Sequence, residues 1–180
     1  MAALEKVRTR SIPKTAEQLP IVGLGTWQGF DVGKDAAARA EREEVLRLLF
    51  DAGASLIDSS PMYGSAEGVV GDLLAKMKAR DKAFLATKVW TWGEEAGIRQ
   101  MDESFRRFQA EVIDLMQIHN LVDWRTHLRT LRAWKEDGRI RYIGITHYTE
   151  AALVELAAII RKEPVDFVQL PYSIAMRDAE

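Results

Sequence analysis

The sequence predicts an α/β fold of the parallel (β/α)8 barrel type, incomplete at about six of the eight βα units, and three observations carry that prediction. Short apolar, β-branched runs alternate with longer segments whose apolar residues recur at three-and-four spacing. Successive runs lie about 26 to 34 residues apart, which is room for one strand, one helix and two short loops. No linker interrupts the rhythm, so the 180 residues read as a single domain over 1–180. A full barrel of this kind takes about 250 residues, so the domain is expected to be incomplete at its C-terminal end.

Each element has its own signal. Residues 8–19 start irregularly, with room for a hairpin, and strand-like runs follow at 21–26, 55–59, 84–90, 112–118, 140–146 and 167–170. The first helix, 35–52, places Val45, Leu46, Leu49 and Phe50 on one face and stops at Gly53, a residue that tolerates left-handed geometry. The second starts at Ser65, whose hydroxyl can cap free amides, and runs through Val69, Leu73, Leu74 and Met77 to Arg80. A third carries Ile98, Met101, Phe105 and Phe108 on one stripe. The fourth, from near Asp123 to Gly138, carries Leu128, Leu131 and Trp134, and the fifth runs over 149–163 until Pro164 stops it. The polar residues 176–180 read as the start of a sixth helix.

Strands separated by helices are parallel, and parallel sheets need helices on their faces. An open doubly wound sheet is the competing layout, and it usually carries a glycine-rich turn after its first strand. Gly23-Leu24-Gly25-Thr26-Trp27-Gln28-Gly29 is a near miss: the third glycine is one residue late and no helical pattern begins there. These glycines instead read as a strand end that needs close backbone approach.

Composition excludes several functions. The 25 Lys+Arg and 27 Asp+Glu balance to a net charge of -2, with no bias toward phosphate backbones or anionic lipid, so neither nucleic acid nor a membrane is an expected partner. The absence of Cys removes disulfides and thiolate chemistry. No apolar run approaches the ~18 residues that span a bilayer, and a cytoplasmic location is expected. His119, His127 and His147 lack zinc-like spacing, and His127 reads as a residue on a solvated helix face.

Functional side chains of a parallel barrel sit where strands end, and four stand out there. Asp58 ends the second run, Tyr63 lies in the loop that follows, Lys88 closes the third and His119 closes the fourth. Each alone has a structural explanation: a loop cap, a rim residue, a snorkelling lysine, a satisfied core imidazole. Lys88 is the most informative, because an ammonium in an apolar inward strand has to be paired or desolvated at a cost of several kcal/mol.

Together with their spacing, these residues resemble the aldo-keto reductases, NAD(P)H-dependent carbonyl reductases built on a (β/α)8 TIM barrel. The resemblance rests on Gly23–Trp27, Gly53–Gly64, Thr87–Trp90, Ile113–Asn120 and Gly138–Ile145, and extends from Ile21 to Ser173. It implies a small carbonyl substrate and a catalytic set of Asp58, Tyr63, Lys88 and His119, with Tyr63 as proton donor. A free Tyr titrates near 10, and a Lys88 ammonium about 4 Å away would supply about the 4 kcal/mol needed to bring it toward neutrality. Asp58 would keep Lys88 charged, and His119 would orient the carbonyl.

The resemblance also implies NADPH, although nothing in the sequence separates it from NADH. Thr26, Trp27, Asp58, Thr146, His147 and Gln169 would border the cofactor, while Trp27, Trp90 and His119 would wall the substrate. Thr146-His147 departs from the Ser-Asn pair usual in the family, keeping a hydroxyl and replacing an amide with an imidazole. The family grips the cofactor phosphates largely with loops after strands seven and eight, which lie outside this sequence. A non-catalytic nucleotide-binding or assembly module on the same fold is therefore the alternative function.

Overall fold

A computed structural model describes residues 6–180. They form two compact units, one of residues 6–87 with Glu103–Glu111, the other of Lys88–Asp102 with Val112–Glu180.

The first unit opens on an antiparallel hairpin, β1 (Thr9–Ser11) with β2 (Gln18–Pro20), where Gln18 Nε2 donates to Ser11 Oγ. There follow β3 (Leu24–Gly25), α1 (Ala36–Asp51), β4 (Leu56–Asp58), α2 (Ala66–Met77) and the start of β5 (Phe84–Val89). Strands β3, β4 and β5 are parallel, with Leu24 opposite Ile57 and Asp58 opposite Ala86. The first strand is shorter than its apolar run predicts. Gly23 explains the glycine there: a Cβ would lie 2.7 Å from Leu56 Cδ2, so the chain passes close to β4.

Helix ends divide into those the sequence showed and those it did not. Asp35 caps α1, its carboxylate accepting from the amides of Ala37 and Ala38. On the predicted face only Leu46 is fully buried, and Val45 is exposed. Ser65 does not cap α2; its hydroxyl donates to Asp31 Oδ1 and accepts from the Gly33 amide, tying the loop after β3 to the helix start. Helix α2 ends at Lys78, in left-handed geometry, and residues Arg80–Lys82 form a separate 3-10 turn. Its inner face buries Val69, Val70, Leu73 and Leu74, and Ile57 and Leu85 from the strands are fully buried in the same unit.

Helix α3 (Glu94–Phe108) begins in the second unit and finishes in the first, where Gly71 of α2 meets it. The second unit continues with β6 (Ile113–His119), α4 (Trp124–Glu136), β7 (Ile140–Thr146), a 3-10 turn (Glu150–Ala152), α5 (Leu153–Ile160) and β8 (Phe167–Gln169). Strands β6, β7 and β8 are parallel, in register from Ile113 opposite Ile140 to His119 opposite Thr146 and Thr146 opposite Gln169. Leu128, Leu131 and Trp134 are buried as predicted, and Gly138 follows α4 at φ +74.

The fifth helix is shorter than 149–163: Pro164 has no N–H to offer the Ile160 carbonyl, so the helix stops a turn early. Residues 176–180 form no helix. Ser173 and Met176 exchange backbone hydrogen bonds and Arg177 pairs with Glu180, closing a turn too short to nucleate one. Among the described residues no helix is long and apolar enough to cross a membrane.

Candidate active site

The strand ends of the first unit place Thr26, Trp27, Asp58 and Tyr63. Thr26 is fully buried; its amide and hydroxyl both reach the Asp58 carbonyl at 3.0 Å, and the hydroxyl also lies 2.9 Å from Ser59 Oγ. This side chain braces the ends of β3 and β4. Trp27 beside it is 64% exposed, an apolar surface with no core around it. Tyr63 sits in the turn before α2, its amide donating to the Ser60 carbonyl. Gly64 follows at φ +59, where a Cβ would lie 2.3 Å from the Asp31 carboxylate, so only glycine fits.

Burial first, and the negative charge of Asp58 second, push the Tyr63 phenol up to about 12. That is opposite to the lowering expected of a lysine neighbour, and the phenol is fully protonated at neutral pH.

The strand ends of the second unit place Lys88, Trp90, His119, Thr146, His147 and Gln169. Lys88 is 1% exposed, as its apolar surroundings in the sequence predicted. His119 ends β6 and is buried; burial, then the charge of Lys88, then that of His147 lower its pKa to about 4, so the imidazole is neutral at pH 7. Trp90, 42% exposed, places its ring 6.5 Å from that of His119.

Thr146 lies in register between His119 and Gln169, setting an imidazole, a hydroxyl and an amide on one rung of three adjacent strands. The His147 amide donates to the Gln169 carbonyl at 3.1 Å. Its Nδ1 accepts from the Thr149 amide, which leaves the ring proton on Nε2. A nicotinamide carboxamide has one acceptor and two donors, and a hydroxyl, an amide and an imidazole N–H can match them; the donor set of this unit fits that group. Among the described residues no cluster of three or more His, Asp or Glu is placed to hold a metal ion.

Several residues went unread in the sequence. Glu67 on α2 is buried and accepts from Thr87 Oγ1 at 2.6 Å, with Arg107 at 3.4 Å; burial raises its pKa against the bonds from Thr87, Ser104 and Arg107 that lower it. The only trace in the sequence is its place on the inward face of α2, between Ala66 and Val69. His127 is not on a solvated face: it is fully buried, and its Nε2 donates to the Thr91 carbonyl at 2.7 Å. Gly97 makes the space for that ring, since a Cβ there would lie 2.5 Å from His127 Cε1.

Alternating strands and helices, with polar residues gathered at strand ends, define a parallel α/β protein of the barrel class, here about six of eight βα units. Residues 21–180 match the Aldo/keto reductase family model, and the chain belongs to that family. It is 33% identical over 144 residues to methylglyoxal reductase YeaE of Escherichia coli, covering 77% of this chain and 49% of that protein. Aldo-keto reductase YhdN of Bacillus subtilis is 28% identical, over 94% of this chain and 55% of its own length. The chain thus spans about half the length of these curated relatives. Among solved structures, the thermostable aldo-keto reductase Tm1743 superposes with a TM-score of 0.77 at 27% identity, over 94% of this chain and 64% of that one. An aldo/keto reductase from Klebsiella pneumoniae, in complex with NADP and acetate, gives 0.68 at 28% identity, over 84% and 53%.

Proposed function

We propose that the whole protein reduces aldehydes or ketones to alcohols with NADPH, using Tyr63 as the proton donor. The observation that carries this reading is the neutral, buried His119 at a strand end, in one rung with Thr146 and Gln169 and under the influence of a buried Lys88. The NADP-bound Klebsiella relative and the methylglyoxal reductase from Escherichia coli support both cofactor and substrate class.

The bound nicotinamide would supply a hydride to the carbonyl carbon. Thr146, His147 and Gln169 would hold its carboxamide, Thr26 and Asp58 would border the cofactor, and Trp27 and Trp90 would offer apolar surface to the substrate. Neutral His119 donates a ring N–H to the carbonyl oxygen, orienting it without adding a charge. Tyr63 then delivers its Oη proton to that oxygen. A phenol near 12 holds its proton until the oxygen becomes an alkoxide, a much stronger base, so transfer runs toward alcohol and water restores the phenol. In this reading the charge of Lys88 acts on His119, whose ring it helps to keep neutral.

The test is NADPH oxidation with 4-nitrobenzaldehyde and methylglyoxal, comparing wild type with Tyr63→Phe. Loss of the donor should lower kcat by about a hundredfold or more. Equal rates overturn the mechanism, and NADPH binding without turnover in the wild type favours the non-catalytic nucleotide-binding or assembly module.

A further inference from the structure

Past the end of β5 the chain runs through Trp90-Thr91-Trp92-Gly93, and its backbone is held by side chains where ordinary loops use water. The Trp90 amide donates to Gln100 Oε1 at 2.5 Å, and Gln100 Nε2 donates back to the Trp90 carbonyl at 3.2 Å. A single side-chain amide on α3 thus reproduces the paired bonds of a strand neighbour. One residue on, His127 Nε2 donates to the Thr91 carbonyl, and two further on the Gly93 amide donates to Asp123 Oδ2 at 2.8 Å. The Gly93 bond is also the main reason the Asp123 carboxyl lies below its ordinary range.

These bonds fix the backbone while leaving both indoles open. Trp92 is 74% exposed and Trp90 42%, with the Trp90 ring set at 59° to the His119 ring. A tethered backbone has already lost the freedom that binding would otherwise cost it, so the Trp90 ring is presented from a fixed position beside His119.

We propose that Gln100 is a positioning residue that, through its two bonds to the Trp90 backbone, fixes that indole beside His119 for a carbonyl substrate. The proposal rests on the carbonyl-reductase reading for its substrate, and its test is a binding measurement so that the two can fail separately. Gln100 touches neither substrate nor cofactor; it acts through Trp90.

The full chain is titrated with 4-nitrobenzaldehyde, following quenching of tryptophan emission, without cofactor and with NADP+, which cannot deliver hydride. Gln100→Leu, which loses both bonds, should weaken binding about tenfold, and Gln100→Glu, which keeps only the acceptor for the Trp90 amide, by at least about threefold. Near-ultraviolet circular dichroism of the indoles should fall in the same order while the melting midpoint holds. Wild-type affinity in Gln100→Leu overturns the proposal, as does a wild-type chain that does not bind the aldehyde under either condition. Should Gln100→Leu not fold, Gln100→Glu decides by itself: about threefold weakening supports the proposal and wild-type affinity overturns it. Intact binding with no effect of Tyr63→Phe on turnover would sink the catalytic reading and leave this one standing.

Discussion

The charge of Lys88 acts on the imidazole of His119: it follows burial among the causes that bring the ring to a pKa of about 4 from its ordinary 6.5. Burial and a lysine at one strand end together keep the histidine at another uncharged, the state that its proposed role as a carbonyl-orienting donor needs.

The shift makes stability depend on pH. The folded state binds fewer protons than the unfolded chain between 6.5 and about 4, so the contribution is fully present above 6.5 and lost as pH falls through about 4. Thermal melts from neutrality down to about pH 4 should show the wild type losing more stability than His119→Gln. Parallel loss in both proteins would contradict a depressed pKa.

Glu67 has the opposite sign. Its folded pKa lies above the ordinary 4.5 because burial outweighs the bonds from Thr87, Ser104 and Arg107. The stability tied to its protonated form is present below 4.5 and lost as pH rises through the folded value. Glu67→Gln keeps an acceptor for the Thr87 hydroxyl and carries no charge, so its melting midpoint should gain on the wild type as pH rises from about 4 toward neutrality. A gap that stays constant with pH would refute the shift.

Gly71→Ala should be among the costliest single-atom additions to the first unit. The new Cβ would lie 2.1 Å from the Arg107 carbonyl oxygen and 2.9 Å from Phe108 Cα, both backbone, so the helices must part. A loss of about 2–3 kcal/mol in urea unfolding is expected.

Lys78→Gly should stabilise the chain. Lys78 is exposed and closes α2 at φ 51, ψ 45, where an L side chain is strained and glycine is not. A gain of about 1 kcal/mol in urea unfolding is expected, and a loss would mean that the lysine makes a contact worth more than the strain.

Much of this was legible in residue order because the signals are local. The helix start at Asp35 is legible because its carboxylate meets amides two and three residues on, and the run 140–146 is the strand Ile140–Thr146 to the residue. The strand-end positions of Asp58, Lys88 and His119 follow from the same alternation. Ser65 misled because its hydroxyl found a distant partner: Asp31, thirty-four positions away in sequence, drew it from the helix amides.

His127 misled for a related reason, and Gln100 drew no reading at all. A histidine or glutamine on a helix looks solvated when only its neighbours in sequence are considered, yet the partners of these two are backbone groups of Thr91 and Trp90 on another segment. The chain's own order therefore determined the strand–helix alternation, the strand-end positions of the polar residues and the family, since periodicity and capping act over a few residues. Tertiary packing alone decided the burial that neutralises His119, raises the Tyr63 phenol and tethers the Trp90–Gly93 loop, because desolvation depends on which distant surfaces exclude water from a group.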